Sequence, residues 1–211
     1  PPPVWLQMST ATIYAHRFDA ANDEQSGILG GNEENVPGYW GYSVEIAKAW
    51  ERALEEAPTP DTRKVALRTA MVMTPDRGGV FDTLLGLTRR WLGGSMAGGQ
   101  QYVSWIHGAD FVAAIEWLIA NESFAGAVNL ASPGPVRQHA FQAVLREVAG
   151  VGVGLPAARW MLEIGAFFMR TDTELVLKSR RVVPGRLAQA GFEFQFKDWQ
   201  AAAQDLVGRG S

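Results

Sequence analysis

Val4-Trp-Leu-Gln-Met-Ser-Thr-Ala-Thr-Ile-Tyr14 begins with a short, mostly apolar run to Ser9 in which polar and apolar residues do not alternate. That is the pattern of a parallel strand buried on both faces, not of a strand with one wet side. A strand of this kind seldom opens a domain and needs neighbours. Two more apolar runs follow, Lys64 to Met73 and Ala127 to Ala131, each reached through a helical stretch. Alternating αβ units of this sort build a parallel sheet. The sequence therefore predicts that Val4 to Met8, Val65 to Met73 and Ala127 to Ala131 lie side by side, with the first strand keeping one open edge.

Working outward, Phe18 to Pro37 is a long polar loop. It leads into a helix from about Tyr39 to Glu56, with Val44, Ala47, Trp50 and Leu54 as its apolar stripe, ended by Glu56-Ala-Pro-Thr-Pro-Asp61. Thr74-Pro-Asp-Arg-Gly-Gly79 turns the chain into a second helix carrying Phe81, Leu84, Leu85, Thr88 and Leu92. Gly93-Gly94 and Gly98-Gly99 bracket a loop. Tyr102 to His107 reads as one short strand, and Asp110 to Asn121 as a helix burying Phe111, Ile115 and Leu118. Beyond Arg137 strand signals become scarce, and helices are expected over Gln138 to Ala149, Ala157 to Met169 and Asp198 to Val207. The alternation of Phe192, Phe194 and Phe196 suggests one more strand at the end of a turn-rich cap, Arg181 to Phe196.

Composition narrows the function. With 211 residues, 47% of them hydrophobic and 19% charged, the chain can bury a substantial core. A formal net charge of −3 gives no electrostatic reason to bind nucleic acid or an anionic membrane, and the Arg89-Arg90 and Arg180-Arg181 pairs read as solvated helix or loop ends. There is no cysteine, and His16, His107 and His139 are too scattered for a familiar metal-ligand spacing, so neither thiolate nor metal chemistry is expected. Pro1-Pro-Pro followed by Val4-Trp-Leu lacks a basic leader and no apolar run is long enough to span a bilayer; a cytoplasmic location is the expectation.

Glycine motifs need care. Gly152-Val-Gly154-Leu-Pro-Ala157 formally matches a dinucleotide fingerprint, with Glu174 at about the right distance to read a ribose. The residues before it, Ala140 to Ala149, are helical, so no strand-to-helix turn aims amides at a pyrophosphate, and the motif reads as a linker. Gly27-Ile-Leu-Gly-Gly31, in a polar loop, is weaker still.

Taken together and in order, Ser9-Thr-Ala-Thr-Ile-Tyr14, Ala49-Trp50-Glu51, Leu67-Arg68-Thr69, Leu92-Gly-Gly94, Ser104-Trp-Ile-His107, Asn129-Leu-Ala-Ser-Pro133, Val183-Pro-Gly-Arg-Leu187 and Ala190-Gly-Phe192 resemble the extended short-chain dehydrogenase/reductase superfamily. More closely, they resemble its atypical, NAD-dependent epimerase/dehydratase-like branch, which carries a C-terminal domain of unassigned function. The resemblance implies an α/β fold, the C-terminal part of a doubly wound Rossmann-type parallel sheet plus a small helix-rich substrate-side domain. It assigns 1–75 and 101–133 to the C-terminal half of the NAD(P)-binding domain, and 76–100 and 134–211 to the substrate side. The glycine-rich half is expected to be missing from this stretch, which alone should be inactive and bind NAD or NADP poorly. The complete protein is expected to be an NAD(P)-linked sugar-nucleotide epimerase, dehydratase or reductase. The rival expectation is a non-catalytic dinucleotide-binding or regulatory protein. A small-molecule or nucleotide-linked substrate is implied, and a homo-oligomer is open.

The resemblance also places site residues. Thr10 matches the Ser/Thr that hydrogen-bonds the substrate oxygen, although a threonine at a strand end equally well bonds local backbone. Where the superfamily has a catalytic tyrosine and, four residues on, a lysine, the alignment places Gly41 and Glu45. A carboxylate raises a nearby phenol's pKa instead of lowering it, so tyrosine-driven hydride transfer is not expected. Other acid/base candidates are His107, then Tyr14, then Glu45; Tyr14 has no cationic neighbour identifiable from sequence. Thr10, Arg68 and Thr69 are the expected cofactor contacts, and Trp105, His107 and Arg68 the expected substrate contacts. Asp110 reads as a helix cap.

Overall fold

The computed structural model describes residues 1–34, 36–156 and 174–210. Its centre is a sheet of three parallel strands: β1 (Val4–Thr10), β2 (Arg63–Thr69) and β6 (Gly126–Leu130), in the order β1-β2-β6. The register is continuous, so that Ser9, Arg68 and Asn129 stand in one row across all three strands and Thr10 pairs with Thr69. The expected trio is therefore adjacent and parallel, and β1 pairs only with β2 among the described residues. Burial of β1 departs from the expectation. Trp5 and Met8 are exposed, because a strand at the sheet edge is covered on fewer sides than a central one.

The second expected strand is two. The chain leaves β2 at Ala70, whose N–H donates to Leu130 O (2.9 Å), and continues as β3 (Met71–Met73) beside β5 (Trp105–His107). The expected Tyr102–His107 strand also splits. Tyr102 and Val103 form β4, antiparallel to β7 (Val136–Arg137), and Ser104 lies between β4 and β5, its hydroxyl donating to Arg180 O (2.6 Å) and accepting from Val182 N–H (2.8 Å).

Helix α1 (Trp40–Glu56) starts after Pro37-Gly38 and stops before Pro58. Its buried residues are Trp40, Val44, Ala47 and Leu54, while Trp50 is exposed, so the apolar stripe lies slightly to one side of the expected one. Glu51 continues that stripe, one turn from Ala47 and from Leu54. α2 (Val80–Arg89), α3 (Gly108–Ala120) and α4 (Gln138–Val148) follow near their expected places. The expected helix over Ala157 to Met169 lies outside the described residues. Short helices α5 (Glu174–Leu177) and α6 (Gly185–Gln189) precede α7 (Trp199–Arg209), which Asp198 caps through Gln200 N–H and Ala201 N–H. No described helix is long and apolar enough to cross a membrane.

Phe192, Phe194 and Phe196 are buried in alternation, but they form no strand. Asp110 explains why. Its carboxylate accepts from Gln195 N–H (2.7 Å) and Phe196 N–H (2.9 Å), taking backbone donors that a neighbouring strand would otherwise use. One packing centre gathers Val65, Leu67, Ile106, Leu118, Val128 and Phe192 between sheet and α3. Another gathers Met73, Phe81, Trp105, Phe141, Trp199 and Leu206 among α2, α4 and α7, with Phe141 and Trp199 stacked at 4.2 Å.

The rejected fingerprint sits in coil after α4. Its Gly154 lies so close to Gly93 that an added Cβ would come within 2.5 Å of the Gly93 carbonyl oxygen, while Leu155 N–H donates to Trp91 O (2.7 Å). Glycine is needed there for two backbones to cross, not for a phosphate.

Candidate active site

Ligands of parallel α/β sheets bind beyond the carboxyl ends of the strands. At that end of this sheet the row Ser9, Arg68, Asn129 is joined to α1 by part-buried hydrogen bonds and to the loop after β1 by buried ones. The Arg68 guanidinium binds Glu51 through both oxygens, Nε to Oε1 at 2.9 Å and Nη2 to Oε2 at 2.7 Å, and the Ser9 hydroxyl adds a third bond to Oε1 at 2.7 Å. Arg68 Nη1 donates to the Tyr14 hydroxyl (3.0 Å), which in turn donates to Asn129 Oδ1 (2.9 Å). Asn129 Nδ2 then donates to Val183 O (2.9 Å).

Tyr14 thus does have a cationic neighbour, one that sequence separation hides. Burial nevertheless outweighs Arg68 and raises the phenol above its ordinary value. Burial works against the charge on Arg68, but Glu51 more than offsets it and keeps the guanidinium ionised. Tyr14 is 2% exposed and its oxygen is engaged on both sides. Arg68, an expected cofactor and substrate contact, anchors α1 through Glu51. Glu45 points outward, with its side chain 59% exposed, and pairs with Lys48 (3.1 Å).

Thr10 accepts from Thr12 N–H (3.1 Å), capping a short 3-10 turn at Ala11–Ile13, and Thr69 donates to Leu67 O (3.1 Å). Trp105 is buried, its indole N–H donating to Gly134 O (3.0 Å). His107, expected as acid/base and substrate contact, lies inside the fold. It is 3% exposed, stacks on Phe196 at 3.9 Å and caps α3, with Nδ1 accepting from Ala109 N–H (3.1 Å). Its Nε2 lies 3.2 Å from Asp205 Oδ2, an ionic approach outside hydrogen-bond alignment. Burial lowers the imidazole's pKa against the pull of Asp205 and Asp110, so the neutral ring is favoured. The Arg180-Arg181 pair is not solvated either. Arg180 is buried and donates to Glu174 O (3.0 Å), and Arg181 lies over the Tyr102 ring.

The cavity at this end, about 410 Å3, is lined by His16, Phe18, Pro37, Trp40, Gln100 and Leu177, among others. His16 is the residue that sequence reasoning passed over. Its ring packs edge-on to Phe18 and Trp40, and Ser179 N–H donates to Nδ1 (2.8 Å), which leaves the neutral ring's proton on Nε2. Burial, seconded by Lys178, lowers its pKa. Lys178, itself buried, donates to Thr12 O (2.8 Å) and Glu174 Oε1 (2.9 Å), so a cation from the C-terminal region stands behind the loop that carries His16. One signal was available: His16 follows the strand-end Thr10 and Tyr14 closely enough to share their loop. Glu51 carried another, since an acid on an apolar stripe needs a buried partner.

Residues 157–206 match a family model described as a domain of unknown function (DUF1731). An epimerase family protein of Staphylococcus aureus strain N315 is 30% identical over 164 residues, 77% of this chain and 53% of the relative. A chloroplastic epimerase family protein of Arabidopsis thaliana is 30% identical over 165 residues, 78% of this chain and 46% of the relative. The chain thus spans about half the length of the curated relatives it matches. Among solved structures, human epimerase family protein SDR39U1 with NADPH superposes with a TM-score of 0.80 at 23% identity, over 99% of this chain and 66% of the other. The dTDP-4-dehydrorhamnose reductase of Bacillus anthracis, in complex with NADP, gives 0.68 at 16% identity, over 97% and 65%.

Proposed function

Because the chain belongs to the epimerase-family branch of the extended short-chain dehydrogenase/reductases, we propose that the complete protein is an NAD(P)-linked epimerase, dehydratase or reductase. Its substrate is small or nucleotide-linked. Its acid/base group is His16, in place of the missing tyrosine and lysine. The observation that carries this reading is that His16, among the groups named above, combines a titratable ring with a place in the wall of the cavity. A neutral imidazole with its proton on Nε2 can donate to a substrate oxygen and take the proton back at neutral pH. Thr10 and Thr69, paired across two strand ends, are the side chains of this stretch nearest to what the nicotinamide end of a dinucleotide requires. When bound, that group supplies hydride transfer. Among the described residues no strand-to-helix glycine turn is present to hold the pyrophosphate.

The competing reading is a dinucleotide-binding protein without turnover. It is favoured by the engagement of Thr10, Tyr14 and His107 in structural hydrogen bonds. The test uses the full-length protein, with NADPH and NADH binding followed by nicotinamide fluorescence and their oxidation followed against a panel of keto sugars and sugar nucleotides. Turnover that falls on the order of a hundredfold in His16→Ala, with cofactor affinity unchanged, supports the proposal. Binding without turnover on any substrate favours the competitor, and absence of dinucleotide binding sinks both.

A further inference from the structure

Two consecutive residues, Lys178 and Ser179, hold the loop that carries His16 from behind. They follow α5 and lie within the stretch that matches the domain of unknown function. Ser179 N–H donates to His16 Nδ1 (2.8 Å), and the Ser179 hydroxyl accepts from Tyr102 N–H (3.1 Å), which ties the donor to β4. Lys178, its side chain 1% exposed, reaches Thr12 O (2.8 Å) and pairs with Glu174 Oε1 (2.9 Å). A buried ion pair adds little stability over apolar residues of the same size, so the fold by itself gives no reason for a cation here. At the far edge of the ring, His16 Nε2 meets no partner among the described residues and stays open to solvent, in the wall of the cavity.

We propose that Lys178 and Ser179 are positioning residues that keep His16 a neutral hydrogen-bond donor, with Nδ1 committed to the Ser179 amide and Nε2–H presented to a carbonyl oxygen of the substrate. The donor polarises that oxygen without giving its proton away. Burial, the largest influence on the ring, and Lys178 both act against an imidazolium. Glu33 acts for it from the ring's own loop, where its Oε1 accepts from His16 N–H (2.9 Å). Phe18 and Trp40, the aromatic neighbours, carry no charge. The lysine also stabilises the negative charge that builds up on a neutral ring used as a donor. A cation that α1 lacks at Glu45 thus reaches the loop after β1 from the C-terminal segment. The inference deepens the function proposed above and rests on its choice of His16 as the group that meets the substrate.

The test is a pH titration of the ring nitrogens of His16 in the full-length protein, by nitrogen NMR with labelled histidine and with His16→Gln to assign the signal. At neutral pH the proton should sit on Nε2, with Nδ1 bare. Two variants remove the cation: Lys178→Gln, which keeps a donor toward Thr12 O and Glu174, and Lys178→Met combined with Glu174→Gln, which leaves no buried carboxylate behind. The titration midpoint of His16 should rise in whichever of the two folds and stay low in Lys178→Arg, and the acidic limb of turnover should move to higher pH along with it. A proton on Nδ1 in the unmodified protein, or a midpoint that ignores the loss of the cation, overturns the proposal. The ring titration needs neither cofactor nor substrate. Turnover that depends on His16 with an unmoved midpoint therefore sinks this role alone, whereas full turnover in His16→Ala sinks the function proposed above and this role together.

Discussion

Arg68 ties the sheet to α1 and to the loop after β1. It is 9% exposed and spends its guanidinium on Glu51 and Tyr14. Removing one partner of such a pair leaves a buried charge without compensation. Arg68→Met is therefore expected to destabilise the fold by about 3–5 kcal/mol, and Glu51→Leu added to it should recover part of the loss. Urea unfolding of the single and double variants checks this. His107 yields a pH prediction. Its folded pKa lies below the ordinary value of about 6.5, so the unfolded chain takes up the proton more readily. The associated stability is present above about pH 6.5 and is lost as pH falls through the folded value. His16 behaves in the same direction. His107→Asn keeps an acceptor for Ala109 N–H and removes one titrating ring, so the fall in Tm between pH 7 and pH 5 should become shallower in this variant. An unchanged slope would mean that His107 is not buried as neutral imidazole.

At the scale of elements, strand existence was legible and strand bookkeeping was not. Val4 to Met8, Val65 to Thr69 and Ala127 to Leu130 are apolar runs long enough to announce themselves, and they pair as expected. The breaks at Ala70 and Ser104 depend on which carbonyl the neighbouring segment offers, Leu130 O in one case and Arg180 O for the serine hydroxyl in the other; no local pattern encodes that. Phe192 to Phe196 has the right period for a strand, yet Asp110, 85 residues away from Gln195, takes its donors. The edge of β1 has its own consequence. Trp5 and Met8 are exposed beside an unpaired strand edge, a combination that invites association of the 211-residue chain. Trp5→Lys should lower its apparent mass in concentration-dependent light scattering, and an already monomeric parent chain would refute the idea.

For the molecule as a whole, the sequence conveyed the family and the sheet but not how the candidate site residues pack. The candidates chosen by alignment, Thr10, Tyr14 and His107, turn out to be caps and links. The cavity wall takes His16 and Gln100 from loops and Trp40 from the start of α1, and their meeting is decided by tertiary packing. Residue type could nominate a histidine; only the fold says which one is accessible.

The polar thread through the sheet also sets an order of events in folding. Ser9 and Glu51 are 42 positions apart, Tyr14 and Arg68 54, Tyr14 and Asn129 115, and Asn129 and Val183 54. Contacts this distant incur loop-closure entropy before they return anything, so they close after the local helices. A chain that paired its strands one residue out of register would leave Arg68 without Glu51 and Tyr14 without Asn129, burying charge with no partner. The thread therefore acts as a late checkpoint on topology. Its loss in Arg68→Met should speed unfolding far more than it slows folding.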